Sequence, residues 1–563
     1  MGLRLIYGRA GTGKSEKCYK EISEKIKQNN KILIITPEQF SFTAEKKLME
    51  AIETEAVFNA EVVTFSRMAY RVIQEIGGRT ETNLSKCGKA MLIYSILNNC
   101  KKDLKFLGKT DENVDMAGTA ITEFKKHGIS VEQLKQETEK QSDIYLKNKL
   151  NDINMIYEKF QEQIAGKYID ETDLLTILAQ NVDKVPDFKD NLIYIDEFAG
   201  FTSQEYDIIQ KLVKIAKQVT ITICTDTIHE IKNADTDIFY SNQITINKLL
   251  QLASENDIKI EEVELEQTYR FKTPELKHLE QNLYNPKVKY FEQIPQNIKI
   301  FLAKNQYSEI EEVAKEIYKL VRDENYRYRD IAVITKNIDT YSSLARAIFD
   351  KYNIPIFIDE NRDLSQNILV QYVLSILEIF TKNWTEEAVL NYIKIGFSEI
   401  DEDDLFRLEK YCLKWGIKQN KWKKEFTYGN YEEKDKEEIA RLEEIRKQII
   451  EPLISLKNKL DENKTAEGIS RTIYNFLIEQ NIAKKIKQKQ EKLEEQGLID
   501  LSNEYQNSIQ TIIDILDEIV LVFKDDKITL DKYAQILKVG FKNSSLTKIP
   551  GTQDQVIMGD VDR

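Results

Sequence analysis

Short apolar runs separated by long stretches of helical period set the frame of this chain. The first run is Leu3–Tyr7, followed by Lys31–Ile35, Ala60–Phe65, Asn191–Ile195 and Gln218–Cys224. Runs this short and this apolar, closed by Gly, Pro or polar residues, predict strands buried on both faces, as in a parallel sheet. Ser15–Gln28 carries the period of a helix after the first strand. From about 78 to 190 the pattern is helical, for example over Lys89–Leu97, Ala117–His127 and Asp143–Ile164. A second block begins at Asn297–Ala303, continues through a helix over Ser308–Arg322, and adds strands within Tyr328–Ile334 and Ile354–Asp359. Residues 364 to 541 are again helical and rich in Lys and Glu, and Asp554–Val561 reads as one more strand. The pattern therefore predicts an α/β chain of two domains with parallel sheets, each carrying a large helical insertion. The first domain takes 1–77 and 191–292 with its insertion at 78–190; the second takes 293–363 and 546–563 with its insertion at 364–545. A domain seldom stops on an uncovered strand, so the last segment reads as part of a chain cut short.

The chemistry sits at the ends of these strands. Gly8-Arg9-Ala10-Gly11-Thr12-Gly13-Lys14-Ser15 fits G-x-x-x-x-G-K-[ST], placed between a strand and a helix as a phosphate loop requires. Its glycines let backbone N–H groups cradle phosphates at a positively polarised helix start. Lys14 is expected to reach the β- and γ-phosphates and the Ser15 hydroxyl to hold Mg²⁺, making ATP and Mg²⁺ the expected cofactors. The run Leu192-Ile193-Tyr194-Ile195-Asp196-Glu197 supplies the partner motif: Asp196 for the metal ion, Glu197 as general base on the attacking water. Arg270, directly after Tyr269, is either a γ-phosphate contact or a surface arginine in a loop. Two further strand ends carry Thr36 and Phe40, and Thr64, Phe65 and Arg67. Hydroxyls and aromatic rings there suit single-stranded DNA, phosphate to hydroxyl and base to ring. From the residues alone, the stronger reading puts Phe40, Phe42 and Phe65 in the core beneath a helix. The basic stretch Lys414–Lys424, with Trp415 and Trp422, could contact phosphates or be a solvated helix with its tryptophans packed inward.

Composition narrows the classes. With 563 residues the chain exceeds what one core holds. No apolar run approaches the ~20 residues of a membrane span, and with no signal peptide the expected location is cytoplasmic. Five scattered cysteines and three histidines make a zinc or iron–sulfur site here improbable. At a net charge of −13, any nucleic-acid contact must come from local surfaces.

The ordered set of phosphate loop, Thr-Pro and Thr-Phe strand ends, apolar-Asp-Glu strand and Tyr-Arg resembles superfamily 1 helicases. In these, two RecA-like P-loop domains with helical insertions sandwich ATP and move on single-stranded DNA. The wording of Gly8–Ser15, Ile35–Ser41, Val63–Arg67, Tyr326–Val333 and Asp554–Arg563 is similar, more narrowly, to the B subunits of the AddAB (RexAB) ATP-dependent helicase–nucleases. That resemblance implies an ATP- and DNA-binding, helicase-like subunit of a heterodimer with an A subunit, which processes double-strand breaks for homologous recombination. It raises the strand-end residues as DNA contacts. It also implies a further half carrying an iron–sulfur cluster and a nuclease motif, neither present in these residues. This chain alone is then expected to be a weak ATPase without nuclease activity. The alternative is a non-catalytic module that recognises a DNA sequence (Chi) and keeps its nucleotide as structure. A departure counts against a working motor: the last strand lacks T-x-H-x-x-K-G-L-E.

Overall fold

A computed structural model of the chain describes residues 2–52, 59–77, 81–107, 113–229, 237–285, 287–360, 362–429, 431, 433–495, 499–546 and 554–561. Asp562 and Arg563 of the last motif, and residue 78 at the start of the expected first insertion, lie outside the described residues. The chain divides into two compact units: Met1–Leu84, Leu104–Leu107 and Met116–Phe301 form the first, and Ser85–Asp103, Gly108–Asp115 and Leu302–Arg563 the second.

The first unit is built on a six-stranded parallel sheet of β1 (Gly2–Gly8), β2 (Ile32–Ile35), β3 (Ala60–Val63), β4 (Leu192–Ile195), β5 (Gln218–Cys224) and β6 (Lys259–Glu264). Their order is β3-β2-β4-β5-β1-β6. The alternation of side chains along each strand explains why the runs are apolar throughout. Leu3, Leu5, Leu33, Ile35, Ile193, Ile195, Val219 and Ile221 enter one core, while Ile6, Ile32, Ile34, Val62, Leu192 and Tyr194 enter the other. Helix α1 (Lys14–Lys27) covers the second face with Cys18, Tyr19 and Ile22, and α2 (Ser41–Ile52) adds Ala44 and Leu48. Helix α3 (Phe65–Ile76) covers the first face with Phe65, Met68, Ala69 and Val72. The first, second and fourth strands all end where the phosphate loop, the Thr36 segment and Asp196 begin, so the carboxyl edge of the sheet collects the candidate chemistry.

The second unit holds a three-stranded parallel sheet of β7 (Ala332–Thr335), β8 (Ile356–Ile358) and β9 (Val556–Asp560), in the order β8-β9-β7. Helices Gln306–Asp323 and Ile338–Lys351 pack on it through Ile310, Ala314, Ile317, Ala345, Ile348 and Phe349. Most of the remaining residues are helical, among them Ile368–Thr381, Glu433–Glu462 and Leu530–Lys542. Helix Lys86–Asn99, inside the segment expected as the first insertion, belongs to this unit and packs on Leu530–Lys542.

Two differences from the pattern are instructive. Asn297–Ala303 is coil and joins no sheet; Ile300 is 94% and Leu302 99% exposed. Its alternation is that of a strand, but no described strand pairs with it, and strand propensity without a partner does not hold a strand. Conversely, β6 escaped notice because it is an edge strand whose Glu261, Glu262 and Glu264 face solvent. In the basic stretch, Trp422 is fully buried and its carbonyl accepts from Arg446 at 3.0 Å, as the inward packing requires, whereas Trp415 is only half-buried and stacks on Tyr428. Among the described residues no helix is long and apolar enough to cross a membrane.

Candidate nucleotide-binding site

The phosphate loop is shaped by close backbone approach. A Cβ on Gly8 would lie 2.5 Å from the Leu265 carbonyl oxygen and 2.7 Å from Thr12 Oγ1. Gly13 adopts φ 81° and ψ 27°, a left-handed turn that starts α1 with no side-chain cap. The first N–H groups of that helix therefore have no side-chain acceptor, which is the condition for an anion site. Thr12 is buried, and its hydroxyl donates to the Arg9 carbonyl at 2.9 Å, closing the loop on itself.

Lys14 Nζ donates to the carbonyls of Gly8 (2.8 Å) and Arg9 (2.9 Å). Burial lowers its pKa, so its ammonium is held in a site that favours an added negative charge. Ser15 Oγ donates to Glu197 Oε1 at 3.3 Å. Asp196 is buried at the end of β4 and accepts from Thr222 Oγ1, while its Oδ2 has no hydrogen-bond partner. Burial is the main cause of its raised pKa; the neighbouring Glu197 adds to it and the Thr222 bond opposes it. An orphan buried carboxylate oxygen beside the Ser15 hydroxyl fits a divalent cation, since hard cations take oxygen ligands. Glu197 has φ 66°, a left-handed conformation that is unusual without glycine and often marks a functional position. These groups line a cavity of about 1060 Å³.

The segment after β6 closes one side. Leu265 N–H donates to the Tyr7 carbonyl at 2.8 Å, extending the sheet ladder, and Tyr269 N–H donates to the Gly11 carbonyl at 2.8 Å. The Tyr269 ring would come within 3.5 Å of a Cβ on Gly13, and Arg270 Cβ within 2.6 Å of one on Gly11. Arg270, exposed in the loop after β6, lines the cavity with Ala10 and Gly11. The Arg9 side chain is turned away: it pairs with Glu280 (3.0 Å) and lies 4.9 Å above the Phe239 ring, leaving only its backbone to the loop.

The strand-end residues are brought together but largely covered. Thr36 N–H donates to the Val63 carbonyl at 3.1 Å, and Thr36 is buried with its Oγ1 unpartnered. Thr64 caps α3, its hydroxyl accepting from Arg67 N–H at 3.2 Å. Phe65 is 5% exposed and its ring lies 5.6 Å from that of Phe198, so it is a core side chain here. Phe40 is half-buried. Arg67 is exposed and pairs with Glu45 at 3.2 Å. Phe42, expected in the core, is instead 77% exposed at the start of α2, on the face away from Ala44 and Leu48. Sequence reasoning also passed over Lys47, whose Nζ lies 3.4 Å from Glu197 Oε1; a lysine in a charged helix carries no local mark.

Comparison with known proteins identifies the family of residues 5–280. The family described as ADDB, N-terminal, matches residues 5–280. Those residues are an AddB N-terminal region. The whole chain is 37% identical over 573 residues to a protein of Clostridium novyi (strain NT) and 39% identical over 587 residues to one of Clostridium tetani (strain Massachusetts / E88). A protein of Thermoanaerobacter sp. (strain X514) is 37% identical over 580 residues. All three are named as the B subunit of an ATP-dependent helicase/deoxyribonuclease. Each alignment takes in 100% of this chain; the chain spans about half the length of the curated relatives it matches. The AddB N-terminal match covers the phosphate loop, Asp196, Glu197 and Arg270.

Proposed function

We propose that the first unit is an ATP site and that the chain serves as the ATP- and DNA-binding, helicase-like part of a heterodimeric helicase–nuclease acting on broken DNA ends. The observation that carries this is the convergence of Lys14, Ser15, Asp196 and Glu197 on one cavity from the ends of β1 and β4. When nucleotide binds, Lys14 exchanges the carbonyls of Gly8 and Arg9 for phosphate oxygens. The free N–H groups of α1 and of the loop take others. Ser15 Oγ and the orphan Asp196 Oδ2 are the fitting ligands for Mg²⁺, which would neutralise phosphate charge there. Glu197 accepts a proton from the attacking water, and Arg270 brings positive charge to the terminal phosphate from the β6 side. In this reading each of the two parallel sheets is a RecA-like domain, with the helical segments 78–190, apart from Lys86–Asn99, and 364–545 as their insertions. An A subunit is the partner, and single-stranded DNA lies along the carboxyl ends of β2 and β3.

The relatives' name supports the assignment to such a complex, and the site's donor set supports ATP as the ligand. The experiment is ATP turnover by the chain with and without single-stranded DNA, alone and mixed with an A subunit. Turnover that DNA stimulates and Lys14→Ala abolishes upholds the reading. Tight nucleotide binding with no turnover under any of these conditions assigns the nucleotide a structural role instead.

A further inference from the structure

The α2 helix joins the two surfaces that the functional reading keeps separate. It starts at Ser41, separated from β2 by five residues, with exposed Phe42 in its first turn, and carries Glu45 and Lys47 within the next turn and a half. Glu45 Oε1 pairs with Arg67 at 3.2 Å, on the strand-end surface. Lys47 Nζ lies 3.4 Å from Glu197 Oε1, in the nucleotide cavity. The same Glu197 oxygen accepts from Ser15 Oγ at 3.3 Å, so one carboxylate oxygen is shared between the phosphate loop and α2. One helix face packs into the core through Ala44 and Leu48, and Glu45 and Lys47, two residues apart, project from the rest of the same helix.

We propose that Lys47 is a positioning residue that sets the Glu197 carboxylate over the nucleotide, and that DNA phosphate at Arg67 resets it by competing with Glu45. The inference rests on the reading of the cavity as an ATP site and of the strand ends as a DNA surface. Both ion pairs are solvent-exposed. Such pairs contribute little to stability and exchange partners readily, which suits a relay and not a structural brace. Thr36, at the same strand end, is buried with its Oγ1 unpartnered. DNA seated there pulls Arg67 from Glu45, α2 shifts, and Lys47 turns Glu197 between its resting bond to Ser15 and its working position. Because coupling is reciprocal, nucleotide in the cavity changes DNA affinity by the same factor.

The test is a thermodynamic cycle on the full chain. N-methylanthraniloyl-ATP with Mg²⁺ is titrated with and without saturating oligothymidylate, and the ratio of the two affinities is read for wild type, Lys47→Met, Lys47→Arg and Glu45→Gln. The ratio is interpretable whatever a substitution does to either affinity alone. Wild type is expected to show a factor within the roughly 5–150-fold range of ordinary coupling. Lys47→Met should bring the ratio to about one, Lys47→Arg should keep most of it, and Glu45→Gln should reduce it. A merely structural lysine would leave the ratio unchanged while lowering thermal stability. An undiminished ratio in Lys47→Met, or a wild-type ratio of one in a chain that binds both ligands, overturns the inference and leaves the functional reading standing. A wild-type chain that binds neither ligand overturns the functional reading itself, and the inference with it.

Discussion

Replacing Phe65 by alanine separates core from DNA contact at the position where the reading of the residues and the family resemblance point in different directions. Phe65 opens α3, packs with Met68, Ala69 and Val72, and sets its ring against Phe198 at 5.6 Å with the planes inclined at 59°. Removing a buried phenylalanine ring costs ~3–5 kcal/mol, the residual cavity included. Spread over a unit of this size, each kcal/mol lowers the unfolding midpoint by ~2–4 °C, so the expected drop is roughly 6–20 °C. Had the ring been a stacking platform, its loss would instead remove ~1–3 kcal/mol per base, roughly a 5- to 150-fold fall in DNA affinity with no change in folding. The assay is a thermal melt paired with a fluorescence-anisotropy titration of single-stranded DNA well below the midpoint. The structure predicts a large midpoint drop and an affinity of the folded protein close to wild type. An unchanged midpoint with a fall in affinity of about fivefold or more would refute the reasoning, because it would require the ring to be solvent-facing.

Other substitutions test neighbouring parts of the account. Phe42→Ala should leave the melt unchanged and weaken DNA binding by about 5-fold or more in the same titration, because its ring is the one offered to solvent at that strand end. Gly11→Ala, at φ 79° with Arg270 Cβ 2.6 Å from the new methyl, combines ~1–2 kcal/mol of left-handed strain with a backbone shift and should show as weakened ATP binding by calorimetry. The raised pKa of Asp196 means its protonated form favours folding: that contribution is complete below the ordinary carboxylate range and is lost as pH rises through the elevated folded pKa. Asp196→Asn should therefore make the nucleotide-free protein more heat-stable at neutral pH, flatten the fall of stability across that window and remove the Mg²⁺ dependence of ATP binding. Melts across the pH range without ligand, and one with Mg²⁺-ATP, check both.

The strands of the first sheet were legible because both faces are covered, so burial alone makes Ile32–Ile35 and Leu192–Ile195 continuously apolar. The phosphate loop was legible for a different reason: close approach of Leu265 and Arg270 to Gly8 and Gly11 admits only glycine, and that restriction is written in the residues themselves. Arg270 was legible as a possibility and became a cavity residue only when β6 paired beside β1. Strand β6 itself was not, since an edge strand with glutamates outward shows little apolar alternation. The burial of Phe65 was legible from the residues, which favour a core position beneath a helix, and the spacing Phe65, Met68, Ala69 and Val72 agrees with it; only the family resemblance pointed to DNA. Lys47 had none: its meaning lies in a contact with a residue 150 positions away. Asn297–Ala303 marks the limit in the other direction, where period and propensity were right for a strand and no pairing partner exists among the described residues.

The central claim is that Lys14, Ser15 and Asp196 hold Mg²⁺-ATP, and it is tested most directly by titrating ATP into wild type and Lys14→Ala with Mg²⁺ or with a chelator. The charge-assisted bonds of a lysine to phosphate contribute ~1.5–3 kcal/mol, so the substitution should weaken binding roughly 10- to 150-fold, and chelation should weaken it in wild type as well. Equal ATP affinity in the two proteins, or binding indifferent to Mg²⁺, would contradict the account.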